Sequence, residues 1–216
     1  MRFLITAGGT REYIDPVRFI SNASSGKMGY ALAQAALSRG HRVTLITTVD
    51  TPKLKTQNSK LKTVNVESAA QMFAAVKKFF YKCDCLIMAA AVADYTPARQ
   101  SKTKIKKSKK TLTIKLKPTA DILKWAGKLK TQNSKLKTKI VVGFALEDKN
   151  LKANAEKKLK EKNLDIIIAN KPDSIGSEKA ALDIKIAAGR WQKLKLTTKQ
   201  SVAKKIISLV NLKFKI

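Results

Sequence analysis

A chain of 216 residues that is 44% hydrophobic and 28% charged can bury one sizeable core and does not require two domains. No apolar run approaches the roughly 20 residues that cross a bilayer, and Met1-Arg2-Phe3-Leu4-Ile5-Thr6 runs into a glycine turn without a signal-peptide pattern, so a cytoplasmic protein without a membrane partner is expected. The net charge of +30 raises the question of nucleic acid, but the excess is lysine scattered along the whole chain, and arginine, the better bidentate reader of phosphates and bases, is confined to Arg2, Arg11, Arg18, Arg39, Arg42, Arg99 and Arg190; no specific nucleic-acid partner is expected.

Residues 2–6 read as a buried strand that opens into Ala7-Gly8-Gly9-Thr10. Gly8 and Gly9 let a backbone approach a phosphate or carboxylate closely, although the dinucleotide fingerprint G-x-G-x-x-G is absent. The segment 11–25 is long for a connection and reads as an active-site loop. In it, Arg18, Asn22 and the hydroxyls of Ser21, Ser24 and Ser25 gather ahead of a helix start, which suits an anionic, hydrogen-bonding ligand. The stretch imitates a P-loop without being one, since Ser21 replaces the first glycine and Met28 follows Lys27; read alone, it is equally a serine-capped helix after an ordinary loop. Met28, Ala31, Leu32, Ala35 and Ala36 recur at helical spacing until Gly40, and His41, the only histidine, is placed in a surface turn.

A strand over 42–48, a helix over 67–80 and a continuous apolar strand over 83–91 follow, with Cys83 and Cys85 as buried strand thiols and no possible metal or disulfide framework from these two alone. The strand ends in small residues, Met88-Ala89-Ala90-Ala91-Val92-Ala93, and then presents Asp94 before Pro97. Ligands of open α/β sheets bind outside the carboxyl ends of strands, which makes Asp94 a site candidate; capping a turn is its alternative role. The lysine-dense run 102–110 is either a solvated loop or part of a flap over about 97–110 that is mobile without an anion and closes on a triphosphate. A strand over 139–145, a lysine-rich helix over 151–162, a strand over 164–169, two strands at 182–187 and 193–196 and a helix over 201–212 complete the chain. The segment KLKTQNSKLKT occurs twice, at 53–63 and 128–138, and both copies read as inserted surface loops. The elements predict one α/β domain over 1–216, three-layer and Rossmann-like, with a mainly parallel sheet and helices on both faces.

AGGT, VRFISNASSGKMG, AAAVADY, KIKK, TADIL, VGFALE and EKNLDIIIAN occur here in the order and rough spacing of the phosphopantothenate-cysteine ligase family, which the chain therefore resembles over about 1–170. The resemblance implies a ligase that joins 4'-phosphopantothenate to L-cysteine, with CTP as co-substrate and Mg²⁺ as cofactor, through an acyl-cytidylate that releases pyrophosphate and then CMP. It implies catalytic roles for Asn22, which holds the activated acyl group, and Lys104, which neutralises the α-phosphate; substrate seating by Arg18 and Ala91; and nucleotide contacts from Gly8, Gly9, Met88, Ala89, Ala90, Asp94, Lys104, Ala120, Asp121, Ile122, Leu123, Phe144, Lys158 and Lys162. The start of the TADIL helix would offer free N–H groups to phosphate, and Ala120 stands where the family often has proline. Metal ligands are not implied residue by residue. A homodimer is implied, as is the absence of the flavin-dependent decarboxylase half, so that a separate phosphopantothenoylcysteine decarboxylase is a possible partner. The rival readings are an NAD(P)-dependent reductase, for which no Tyr-x-x-x-Lys pair exists, and a non-enzymatic basic nucleic-acid-binding protein.

Overall fold

A computed structural model describes residues 1–49 and 59–213. Its framework comes from strands whose side chains are apolar on both faces, so that each must be covered twice. In β1 (Arg2–Ala7), Phe3, Ile5 and Ala7 enter one core while Leu4 enters the other. The same alternation runs through β6 (Cys85–Met88), β9 (Ile140–Leu146) and β10 (Ile166–Asn170), where Ile166 and Ile168 face one core and Ile167 and Ala169 the other. With β4 (Arg42–Thr47), β5 (Leu61–Asn65), β11 (Lys179–Ile186) and β12 (Trp191–Thr198) they form an eight-stranded sheet in the order β5-β4-β1-β6-β9-β10-β11-β12. It is parallel from β5 to β10, and β11 and β12 add antiparallel edges. Fully burying one of these Ile or Leu side chains contributes about 1.5–3 kcal/mol, which makes the central strands the main source of stability.

The two cores are closed by different helices. α1 (Lys27–Ser38) and α5 (Lys199–Lys213) cover the Phe3 face, joined where the Arg39 guanidinium donates to Lys204 O and Ser208 Oγ. α2 (Ala69–Phe80), α3 (Ile122–Gln132) and α4 (Leu151–Glu161) cover the Leu4 face. α2 starts on a capping box, in which Ser68 Oγ accepts from Gln71 N and the Gln71 side chain returns to Ser68 N, and α3 starts on Asp121, which accepts from Lys124 N. α1 lies so close to β1 that a Cβ on Gly29 would sit 2.5 Å from Ala7 Cβ.

The three-layer, mainly parallel architecture is the predicted one, and several local expectations are corrected. The apolar run 83–91 is a strand only over Cys85–Met88; from Ala89 the chain leaves the ladder. Cys83 precedes the strand and donates to Phe80 O. His41 is half-buried, packed at a tilt against Phe3 and within hydrogen-bond distance of Asn211. The second copy of the repeat, 128–138, is not a loop: its first part is the end of α3, where Lys130 is buried and paired with Asp165 at 2.6 Å, and Ser134–Leu136 is a short 3-10 turn that buries Leu136. Positions 53–58 of the first copy lie outside the described residues, and its last three letters, Leu61, Lys62 and Thr63, are strand β5. The letters Leu-Lys-Thr thus close a 3-10 turn at 136–138 and form part of an edge strand at 61–63, because the neighbours available to pair with them differ.

Two short ribbons had no sequence signal. β2 (Arg11–Tyr13) pairs with β3 (Phe19–Ser21), and β7 (Tyr95–Pro97) pairs with β8 (Leu116–Pro118), both antiparallel. Strands of three residues are too short for a periodic pattern.

Candidate active site

Strand order reverses between β1 and β6, the point where open α/β sheets leave a crevice beyond their carboxyl ends. The structure fills that crevice with a backbone joint. Ala91 N donates to Gly8 O at 2.9 Å, Thr10 N to Ala91 O at 3.2 Å, Ala90 N to Thr6 Oγ1 at 3.1 Å and Ala93 N to Thr10 Oγ1 at 2.9 Å. Residues 7–10 and 89–93 are therefore one structural unit, the floor of a cleft. A Cβ on Gly9 would meet Asn22 O at 2.5 Å, so glycine is required there for the loop after β3 to reach the floor.

The cleft has a volume of about 590 Å³. Asn22, Met88, Ala89, Ala90, Ala91, Asp94, Ala120, Asp121, Ile122, Leu123, Phe144 and Lys158 line it together. Five expected residues lie outside this lining. Gly8 and Gly9 belong to the joint that forms the floor and are not among the residues that line the cleft. Lys162 sits behind Asp121, ion-paired to it at 2.7 Å. The exposed Lys104 belongs to the neighbouring flap, and Arg18, in the turn between β2 and β3, bonds to that flap at Ile105.

Asn22 is fixed by its amide nitrogen, which donates to Ala91 O at 3.4 Å and to Val92 O at 3.2 Å. Because an amide nitrogen can only donate and both partners are carbonyls, the group Asn22 retains for a ligand is its oxygen, an acceptor. Across the cleft, Lys158 Nζ donates to Phe144 O at 2.7 Å, and burial first, then the nearby Lys162 cation, pull its pKa below the usual lysine range. Burial pushes the Asp121 carboxyl up, but Lys162 and the Lys124 amide outweigh it and hold the group ionised. At the start of α3 the Asp121 carboxylate occupies one backbone donor, Lys124 N, while Ile122 and Leu123, whose N–H groups the expectation offers to phosphate, line the cleft. A helix start without a side-chain cap that lines the cleft is that of α1, where Gly26 is in the left-handed region (φ 73°) and the first turn has no acidic residue.

The flap, residues 98–115, hangs between β7 and β8 without regular structure. It is pinned more firmly than its charge predicts. Asp15, fully buried, accepts from Val17 N, Arg18 N and Arg18 Nη1, and its second oxygen also accepts from Ile105 N at 3.0 Å. Arg18 Nη1 donates in turn to Ile105 O at 2.9 Å, so both backbone groups of Ile105 are held. Burial alone would raise the Asp15 pKa; the amides of Ile105, Val17 and Arg18 and the Arg18 charge reverse this and lower it to about 2.

Sequence reasoning missed the wall opposite α3. Asn170, Ser174, Ile175 and Gly176, from the end of β10 and the loop after it, line the cleft with Ala180, Leu182 and Lys199. Nothing local in KPDSIG or TTKQ distinguishes these residues; only the folding of β11 back along β10 brings them to the site.

Residues 1–213 match the family described as the DNA/pantothenate metabolism flavoprotein C-terminal domain. The chain is 43% identical, over 97% of its length and 59% of the relative's, to a cysteine/cysteine sulfinic acid decarboxylase from an unknown prokaryotic organism. It is 47% identical, over 77% of its length and 39% of the relative's, to the coenzyme A biosynthesis bifunctional protein CoaBC of Bacillus subtilis strain 168. The chain thus spans only part of these curated relatives. The crystal structure of the C-terminal domain of a CoaBC protein superimposes with a TM-score of 0.80 at 36% identity, covering 99% of this chain and 95% of that one.

Proposed function

Because the chain belongs to the family of the DNA/pantothenate metabolism flavoprotein C-terminal domain, we propose that its cleft joins the carboxylate of 4'-phosphopantothenate to the amine of L-cysteine at the expense of CTP, a step of coenzyme A biosynthesis. The observation that carries this reading is that the stretches 22–28, 88–92 and 119–123, with Asp94, Phe144 and Lys158, converge on one cleft at the strand-order reversal.

A carboxylate acylates an amine only after one of its oxygens becomes part of a good leaving group. In the first step that oxygen attacks the α-phosphorus, the bond to the β-phosphate bridge breaks and pyrophosphate leaves. In the second, the cysteine nitrogen attacks the acyl carbon, the carbon–oxygen bond to the nucleotide breaks, CMP leaves and the nitrogen gives up its proton. Neither step needs a nucleophile from the protein, so positioning and charge neutralisation are the chain's contributions. Asn22 offers a fixed acceptor oxygen to an N–H or O–H of the activated acyl group. Lys158, tethered to Phe144 O, supplies a fixed positive charge on the nucleotide side, and Lys162 keeps the Asp121 carboxylate from repelling the phosphates. Lys104 reaches the α-phosphate when the flap closes, and Arg18 couples that movement to the hairpin that carries Asn22.

Among the described residues no group of three or more histidine, cysteine, aspartate or glutamate side chains could hold a metal. Of the cleft carboxylates, Asp121 is engaged by Lys162 and Glu147 accepts from Asn154, which leaves Asp94 facing the ligand. Asp94 would help to hold a magnesium ion that arrives with the triphosphate. When bound, the ion neutralises phosphate charge. Exposed Val17, Phe19, Tyr95, Leu112 and Leu116 cluster on the two ribbons and the flap, an apolar surface suited to a second copy of the chain. Decarboxylation of the product falls to a region or protein outside this chain.

The test is turnover with phosphopantothenate, cysteine, magnesium and each nucleoside triphosphate in turn. Release of CMP with formation of an amide-linked thiol is expected, with CTP preferred over ATP. If no nucleoside monophosphate and no amide appear with any nucleotide, the assignment fails.

A further inference from the structure

Lys199 is the first residue of α5, yet its side chain turns inward: the residue is 7% exposed and lines the cleft. Its backbone N–H donates to Glu178 O at 3.0 Å, and its ammonium donates to Ser174 O at 3.2 Å. An ammonium has three donors and carries a full charge, and one carbonyl compensates only a fraction of the cost of burying it. The nearest acid on this wall, Glu178, is engaged by the Lys27 ammonium, which also donates to Gly176 O at 3.0 Å. Lys27 opens α1, whose first turn is uncapped and lines the same cleft through Gly26, Lys27 and Met28, with Ser24 and Ser25 just before it. One wall therefore collects a buried ammonium, a second lysine, a positive helix end and two hydroxyls around a cavity. Burial, followed by the Lys27 charge, lowers the Lys199 pKa; Glu178 offsets part of this, and a bound anion would offset more.

We propose that Lys199 is an anion-holding residue of the cleft, its ammonium and the first turn of α1 together taking the oxygens of one phosphoryl group of a bound substrate. The inference rests on the ligase reading for the identity of that substrate: the group is either the monoester phosphate of phosphopantothenate or a phosphate of the nucleotide. The stretch 21–28 already points to an anionic ligand at the start of α1, but no motif assigns Lys199, which lies beyond the last of them and is brought to the cleft by the β11–β12 hairpin.

The experiment compares the full chain with Lys199→Gln, which keeps a donor for Ser174 O and removes the charge, and with Lys199→Arg, which keeps the charge. For Gln, KM should rise at least tenfold for one phosphorylated substrate while the KM of the other changes less than about twofold and the thermal midpoint holds; Arg should recover most of the loss. A selective rise for phosphopantothenate, with no such effect on pantothenate lacking the phosphate, assigns the subsite to the acid; a selective rise for CTP assigns it to the nucleotide. Unchanged constants for both, or equal losses together with a lowered thermal midpoint, overturn the proposal. In wild-type protein labelled at the lysine ε-carbons, the resonance missing from Lys199→Arg should move when phosphopantothenate or CTP is added, a readout that stands even if the Gln variant does not fold; no movement with either also overturns it. Calorimetric binding separates the two levels: absence of turnover by wild type sinks the ligase reading, while loss of anion binding confined to Lys199→Gln still establishes the subsite.

Discussion

On the floor of the cleft, the amides of Ala90, Ala91 and Ala93 and the side-chain amide of Asn22 all have protein partners, and on the far side Lys158 is tethered to Phe144 O. In the flap, by contrast, Lys102, Lys104, Lys106 and Lys107 are exposed, and the backbone is fastened at Ser101, by its amide to Ile14 O, and at Ile105, by Asp15 and Arg18. Both regions are rich in positive charge or in donors, and the difference lies in what holds them. A tethered charge acts on ground state and transition state alike and serves binding; a charge on a segment joined at a few points can arrive where charge develops and serve the chemical step.

The sharpest way to break this contrast is to remove the charge from the moving side. Lys104→Gln should lower pyrophosphate release by about 10²–10³-fold, the scale of losing one stabilising donor at a reacting group, while calorimetry shows nucleotide binding nearly intact. Release at the wild-type rate would remove Lys104 from the reaction. Asn22→Asp tests the fixed side. It replaces the donating amide that faces Ala91 O and Val92 O with an acceptor, so the loop should shift and the second step suffer. The expected outcome is roughly 10²-fold slower amide formation with accumulation of the acyl-nucleotidylate seen by rapid quench, whereas accumulation of nothing alongside normal product would contradict it.

A smaller effect is expected at Lys158, whose charge is fixed before the nucleotide arrives. Lys158→Met should raise KM for the nucleotide about tenfold, in line with one charge-assisted hydrogen bond, and change kcat little. Burial and Lys162 lower the pKa of this ammonium, so in the wild type it loses its proton below the usual lysine range and nucleotide affinity should fall correspondingly early as pH rises. Lys158→Arg should move that alkaline limb upward. A KM that is flat across the same window for both proteins would show that Lys158 does not face the nucleotide.

How much of this was readable from the chain depends on the kind of information each part uses. Strands buried on both faces, such as Ile166–Asn170, announce themselves as apolar runs, and the sheet followed from them. The floor was legible as two small-residue motifs, AGGT and AAAVAD, although their role as a mutual backbone clamp was not, since the bonds join positions more than 80 residues apart. The repeat misled: Leu136 and Lys130 are buried only because α3 continues into it and Asp165 lies opposite, facts absent from the eleven letters. Lys199 and Ser174 were invisible for the same reason, being placed by an antiparallel return of β11 that no local pattern specifies.

The joint between the two regions, Asp15, yields the smallest effect and the most direct test of whether they are coupled. Asp15→Asn keeps the shape of the side chain but removes the charge that faces Arg18, and one of its atoms becomes a donor directed at donors. The expected result is faster protease cleavage within 102–110, a KM for nucleotide raised by about three- to tenfold, and a lowered thermal midpoint, because the buried carboxylate accepts four hydrogen bonds that Asn does not all accept. The wild type offers the same experiment through pH. Its carboxyl pKa is depressed from 3.8 to about 2, so the contribution of the ionised form is complete above about pH 4 and disappears as pH falls through 2. Flap cleavage by an acid-active protease should therefore be constant from pH 6 to about pH 4 and accelerate below it, and in Asp15→Asn it should be fast throughout. Identical cleavage profiles for the two proteins would mean that the hairpin and the flap move independently and that Arg18 transmits nothing between them.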